Sequence, residues 1–321
     1  MRRLLLAAAV VLFATPIAHS DVDRRSQNAT VTRATLREHV LKLINRDRAL
    51  YRLPPVELDL AVSAFGDAYC RTQIRNGTTG HYTTDGVAPY ARFSLAGFND
   101  AVSENAAAWS ANYSFSDRAL YEMARRSQDA MMAETAPNDG HKRTMLDRHA
   151  THVGIGLAWE RGEFRLVQEF VRRYIDWSRP LPRTALVGQP VLTAGKAVPG
   201  VTIEGITVHY EPLPQPIAAH VASAIATYGL PAKRREFAPR TPRRGGPLAV
   251  AVRGDFFSLR PDGSFSFNVP FQEGPGLYTV VVWVQKEDDG PAFPASNVSI
   301  RVEGTLQSAG PASSEARPAL R

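Results

Sequence analysis

The residue pattern changes character near residue 175, and this change constrains the fold more than any other feature of the 321-residue chain. Upstream, apolar residues recur three and four positions apart, the spacing of helices that bury one face. Downstream, short runs such as "GLYTVVVWVQ" and "NVSIRVEG" are rich in β-branched and aromatic residues and are separated by Gly, Pro and Asp. The sequence therefore predicts an α+β part followed by an all-β part.

The upstream part, residues 35–174, is predicted to hold three long helices and a late hairpin. The first helix starts at the capping box "TLRE" and ends at "RLPP", and the second follows Asp59 and ends at "NGTTG". The third runs from Asp117 to Glu134, because Pro137 prevents its continuation. The runs "THVGIGLAW" and "FRLVQEFV" flank "ERGE" as the strands of a hairpin do. Helices packed on a few strands form an α+β sandwich.

The downstream part, residues 180–304, contains five or more short strand-like runs with turn residues between them. That number and spacing of strands predict a separate all-β domain, an immunoglobulin-like sandwich. Residues 305–321 are rich in Ser, Ala, Pro and Gly, so we predict a disordered tail.

The first twenty residues, "MRRLLLAAAVVLFATPIAHS", have the pattern of a secretory signal peptide, with two arginines, an apolar run and small residues before Asp21. Since no later apolar run is long enough to cross a bilayer, we expect a secreted protein, extracellular or periplasmic, without a transmembrane segment. The single cysteine, Cys70, excludes an internal disulfide, so stability must come from burial. A net charge of +7 favours anionic surfaces mildly and is not a nucleic-acid signature.

Three segments carry the candidate site residues. His81 and Arg92 lie in "GHYTTDGVAPYARF", Glu104 and Asn105 in "VSENAAAW", and Glu134 and His141 in "MMAETAPNDGHKRTML". Each segment alone is unspecific: His141 could cap a helix, bind a metal, act as a base or serve packing. Arg92 could pair with a carboxylate near a cleft or brace its loop.

Taken together and in this order, the segments resemble one family. "LINRDRALYRLPPVELDLAVSAFGDAY" is similar to the first two helices and linker of the CAP superfamily (cysteine-rich secretory proteins, antigen 5, pathogenesis-related 1) in its bacterial, extracellular SCP-like form. "SEN" resembles the Glu-Asn motif of that family, and "GHKRTML" followed by "HVGIGLAW" resembles its second histidine segment and following strand. The resemblance covers roughly residues 35–172 and implies a CAP-type α-β-α sandwich.

The resemblance also implies a cleft lined by two histidines and two glutamates. His81 and His141 match the histidines, and Glu104 matches the glutamate of the Glu-Asn pair. The second glutamate ends a Trp-x-x-Glu helix in the family; here Met131 stands at the tryptophan position, which makes Glu134 the candidate. Asn105 and Arg92 are predicted to belong to the binding site.

Two imidazoles with carboxylates suit a divalent metal, and zinc is the best match for nitrogen and oxygen donors. A metal-bound water could attack a carbonyl or phosphoryl group, yet no H-E-x-x-H spacing or acyl-transfer serine motif accompanies the four residues. We therefore favour a non-enzymatic binding protein, with a lipid, glycan or protein ligand at the cell envelope and no assigned catalytic residue. Three alternatives stay open: a metal-dependent peptidase or esterase, an interaction protein acting through its β domain, and a purely structural tetrad.

Overall fold

The computed structural model describes residues 31–240, 255–286 and 290–305. The predicted signal peptide, residues 1–20, lies outside the described residues. The predicted disordered tail does too, apart from Thr305, which ends the last strand. No helix in the described ranges is both long and apolar enough to cross a membrane.

The first half of the described chain has a four-stranded sheet with helices on both faces. The sheet order is β1-β3-β4-β2, so β2 lies at one edge. The elements, in chain order, are α1 (Arg33–Leu50), β1 (Glu57–Leu58), α2 (Leu60–Asn76), α3 (Pro89–Leu95), β2 (Ala101–Ser110), α4 (Asp117–Met132), α5 (Gly140–Met145), β3 (His152–Glu160) and β4 (Glu163–Arg172).

Strand β3 separates the two helical layers because successive residues of a strand point to opposite faces. Ile155 and Leu157 pack in one apolar cluster with residues of α1 and α4. Gly154 and Gly156 face α2, where a Cβ on Gly156 would lie 2.2 Å from the backbone carbon of Gly66. The glycines therefore let α2 lie directly on the sheet, which gives the three-layered α-β-α arrangement.

The helix boundaries follow the predicted signals with small shifts. Asp59 caps α2, its Oδ1 accepting from the Val62 N–H at 3.0 Å, and Gly77 ends this helix with φ +63°. Helix α4 starts at Asp117 as expected, with Ser116 as its cap, and ends at Met132. Glu134 thus lies two residues beyond the helix that was expected to carry it.

The second half forms a nine-stranded sheet within the described residues, in the order β5-β7-β11-β10-β9-β8-β12-β13-β6. The first strand starts at residue 175, and a short helix, α6 (Ala219–Ala224), lies between β8 and β9. The strands are β5 (Ile175–Arg179), β6 (Thr184–Val187), β7 (Val191–Ala197), β8 (Val201–Glu211), β9 (Arg234–Arg240), β10 (Asp255–Leu259), β11 (Ser264–Val269), β12 (Gly276–Lys286) and β13 (Phe293–Thr305).

These nine strands do not confirm a separate immunoglobulin-like sandwich. Hydrogen-bonded ladders connect them from β5 to β6 without a break, and two of the pairings, β9 with β10 and β6 with β13, are parallel. Strand number and spacing predicted the all-β character, whereas strand order depends on pairings between distant segments.

The two halves pack against each other through α3, β2 and β13. The Ser94 hydroxyl accepts from the Ser299 N–H at 2.8 Å, and the Asn297 side chain accepts from the Val102 N–H at 3.1 Å. One apolar cluster is shared: Phe93 and Tyr90 of the first half pack in it with Leu277 of the second.

Candidate functional site

The loop between α2 and α3 and the edge strand β2 bring His81 and Glu104 together. The His81 Nδ1 lies 2.9 Å from the Glu104 Oε1, and the Glu104 side chain has no solvent exposure. Arg92, on α3, pairs with the other carboxylate oxygen and donates to the His81 carbonyl at 3.0 Å. Both oxygens of Glu104 are therefore engaged, and Arg92 does pair with a carboxylate behind the imidazole.

The opposite charges of Arg92 and Glu104 stabilise each other. Burial alone would raise the pKa of Glu104, but the Arg92 guanidinium and His81 outweigh it and hold that pKa below its usual value. Burial would lower the pKa of Arg92, whereas the Glu104 charge raises it. The Arg92 guanidinium also lies 3.5 Å from the centre of the Tyr69 ring. Glu104 is thus ionised and fixed in position by a permanent cation.

A second buried carboxyl, Glu169, lies beside Glu104 and was not predicted. It stands directly opposite Glu104 in the β2–β4 ladder, and neither of its oxygens has a hydrogen-bond partner. Burial, followed by the negative charge of Glu104, raises the pKa of Glu169 well above the usual value. Both effects favour the protonated form of Glu169. A charged residue inside the apolar run "FRLVQEFV" was the signal that could have revealed it.

The segment between α4 and β3 brings Glu134 and His141 together. The Glu134 Oε1 lies 2.5 Å from the His141 Nδ1, and its Oε2 accepts from the backbone N–H of His141 at 3.0 Å and of Lys142 at 3.4 Å. Glu134 therefore supplies acceptors to the first turn of α5, where backbone N–H groups lack partners within the helix. Glu134, the candidate for the second glutamate, therefore contacts His141.

The two histidine–glutamate pairs face each other. The ring centroids of His81 and His141 are 6.2 Å apart, with 28° between the ring planes. Asn105 donates to the His141 carbonyl at 3.1 Å and to the Gln168 side chain at 3.2 Å, so it holds α5 against the sheet. Arg92 and Asn105 thus lie behind the imidazoles, where they position the site.

A four-ligand metal site would need free carboxylate oxygens, and the glutamate oxygens are already engaged. Among the residues that the structure describes, no group of three or more His, Cys, Asp or Glu side chains is placed to hold a metal ion. The Nε2 atoms of His81 and His141 do not face a glutamate. These two nitrogens therefore remain as atoms that could coordinate a metal. Metal binding by His81, Glu104, Glu134 and His141 together stays a prediction.

The three-layered fold and the paired histidines and glutamates define a CAP-type domain. Residues 41–170 match the family model described as "CAP: Cysteine-rich secretory protein family". The chain therefore carries a CAP domain, as the motifs indicated.

Two solved structures are similar to this chain at 16% identity. One is an extracellular protein containing a SCP domain from Bacillus anthracis str. Ames, with a TM-score of 0.34, 45% of this chain covered and 45% of that chain. The other is the CAP domain of Enterococcal PrgA, with a TM-score of 0.33, 44% of this chain and 63% of that chain. The alignments span less than two thirds of either relative. No curated protein matches the sequence significantly.

Proposed function

We propose that this protein is an exported, non-enzymatic binding protein whose CAP cleft holds its ligand between His81 and His141. The observation that supports this function is the matched pairing: each imidazole has its Nδ1 on a glutamate of its own, and the rings face each other at 6.2 Å. A neutral imidazole held in this way carries its proton on Nδ1 and offers a lone pair on Nε2.

The ligand chemistry that fits two such nitrogens best is a divalent metal, with zinc the closest match. A carboxylate on the far nitrogen of a metal-binding histidine fixes the ring and increases its basicity, which is the place that Glu104 and Glu134 occupy. Two protein ligands are fewer than the three of a typical catalytic zinc site, so this donor set favours binding over turnover. The remaining ligands would come from a lipid, glycan or protein partner at the cell envelope.

The direct test is calorimetric titration of the purified protein with zinc. We expect binding of about one zinc per chain, weakened at least about tenfold in the His81→Ala/His141→Ala double variant. A matched control, His39→Ala/His152→Ala, removes two histidines outside the cleft, on α1 and β3, and should bind as the wild type does. Equal affinity in the wild type and the His81/His141 variant would contradict the proposal.

A further inference from the structure

A segment of the second half lies against the His81–Glu104 pair. We call residues 212–230, between β8 and β9, the strap. Its Ile217 N–H donates to the Thr84 carbonyl at 2.9 Å, and the Ser223 hydroxyl accepts from the Thr79 N–H at 3.1 Å. The strap therefore runs along the same loop that carries His81.

The loop is shaped to accept the strap at close range. Gly86 has φ +72°, and a Cβ at this position would lie 2.4 Å from the Gln215 carbonyl oxygen. Where the strap leaves β8, the Tyr90 hydroxyl donates to the Glu211 carboxylate at 2.8 Å. A side chain at residue 86 would thus exclude the strap, whereas glycine admits it.

The strap ends on the site itself through Tyr228. The Tyr228 ring stands edge-on to His81, with ring centroids 4.8 Å apart. Its hydroxyl accepts from the Glu104 N–H at 2.5 Å and donates to the Glu104 carbonyl at 3.3 Å. Because β2 is an edge strand, these two backbone groups have no partner strand, and one phenol satisfies both.

The strap makes the two halves of the cleft unequal. The side chains of His81 and Glu104 are 8% and 0% exposed, whereas those of His141 and Glu134 are 33% and 21% exposed. Tyr228 lies on the first pair, and the second pair faces outward.

We propose that the His81 half of the cleft is a binding site for a tyrosine side chain on an extended segment, and that the strap is its resident ligand. An outside partner reaches the His141 half directly. It reaches the His81 half only when the strap leaves, and there it must present the same chemistry: an aromatic edge to the imidazole and a hydroxyl to the edge of β2. This inference rests on the proposed binding function of the cleft.

Acylation of histidines by diethyl pyrocarbonate, mapped by mass spectrometry on the purified protein, tests this without any ligand. In the wild type we expect His81 to react at least about tenfold more slowly than His141, with His152, 22% exposed on β3 and outside the strap, as the reference. Tyr228→Ala should accelerate the reaction of His81 at least about tenfold and leave that of His141 unchanged. Tyr113→Ala, which removes an exposed tyrosine elsewhere, is the matched control.

p-Cresol, which has the atoms of a tyrosine side chain, should restore protection of His81 in Tyr228→Ala, and toluene should restore less because it lacks the hydroxyl. Equal rates for His81 and His141 in the wild type, or no rescue by p-cresol, would overturn the proposal. Should Tyr228→Ala fail to fold, Tyr228→Phe replaces it in the test. In that variant we expect His81 to react faster than in the Tyr113→Ala control, but by less than the about tenfold expected for Tyr228→Ala. Zinc binding is measured in a separate experiment. A protein that protects His81 but binds no zinc would contradict the proposed binding function and not the role of the strap.

Discussion

At the scale of single residues, the buried charges beneath the cleft fix its geometry. Arg92, whose side chain is 13% exposed, holds the fully buried Glu104 through an ion pair, and Glu104 in turn orients His81. Removing one member of a buried ion pair leaves the other charge unpaired in a medium that solvates it poorly. The site and the stability of this half of the domain therefore depend on the same side chains.

Arg92→Met should lower the free energy of unfolding by about 3 to 5 kcal/mol, because it leaves the Glu104 carboxylate without its cation. Urea denaturation measures the change. The control is Arg125→Met, since Arg125 pairs with Glu122 on the solvent face of α4 and is 45% exposed. That substitution should cost less than about 1 kcal/mol. Similar losses for the two variants would contradict the buried pairing.

Glu169→Gln should reduce the loss of stability that accompanies rising pH. The folded protein holds the Glu169 proton more tightly than the unfolded chain, whose carboxyl has a pKa of about 4.3. The contribution of the proton to stability is therefore complete below that pH and is lost as the pH rises toward the folded pKa. Unfolding midpoints measured between about pH 5 and about pH 8 should fall less in the variant. Glu160→Gln, at an exposed carboxylate, should leave the wild-type profile unchanged.

At the scale of elements, the contact between α2 and β3 depends on two facing glycines. A Cβ on Gly156 would overlap the backbone of Gly66, which cannot rotate away as a side chain could. Gly156→Ala should therefore cost about 1 to 3 kcal/mol of unfolding free energy, measured by thermal or urea denaturation. Gly140→Ala, at an open position in the first turn of α5, should change it by less than about 1 kcal/mol. A loss at Gly140 as large as at Gly156 would show that close packing is not the cause.

Local signals predicted the three long helices and the hairpin of the first half, but not β1, α3, β2 or α5. Asp59, Gly77 and the turn at "ERGE" mark boundaries that the structure reproduces, because capping and turn chemistry act over a few residues. The end of α4 was set two residues too late, since Glu134 bonds to α5 and not to the helix before it. The order of the second sheet lay beyond such signals because it depends on contacts between distant segments.

The difference between local signals and contacts between distant segments also applies to the site. Motif resemblance indicated His81, Glu104, Glu134 and His141, and the structure brings them together. Glu169 and Tyr228 are absent from those motifs, and they reach the site through a cross-strand position and a crossing from the second half. Their roles depend on tertiary contacts, which a single sequence does not display.

At the scale of the whole molecule, the two halves share an apolar cluster. Leu277, Tyr228 and Leu230 of the second half pack with Phe93 and Tyr90 of the first. A fragment of residues 31–174 should therefore expose apolar surface, bind a hydrophobic dye and unfold at a lower urea concentration than the full chain. An equal unfolding midpoint without dye binding would mean that the CAP half is independent of its partner.

The central claim is that His81 and His141 are held through Nδ1 and offer Nε2 to a ligand. Two-bond ¹H–¹⁵N spectra of the protein labelled at histidine nitrogens measure this directly. We predict that both residues carry a proton on Nδ1 and an unprotonated Nε2, and that zinc shifts the Nε2 signals of these two histidines and of no others. A proton on Nε2 in either residue, or zinc-induced shifts confined to other histidines, would contradict the account.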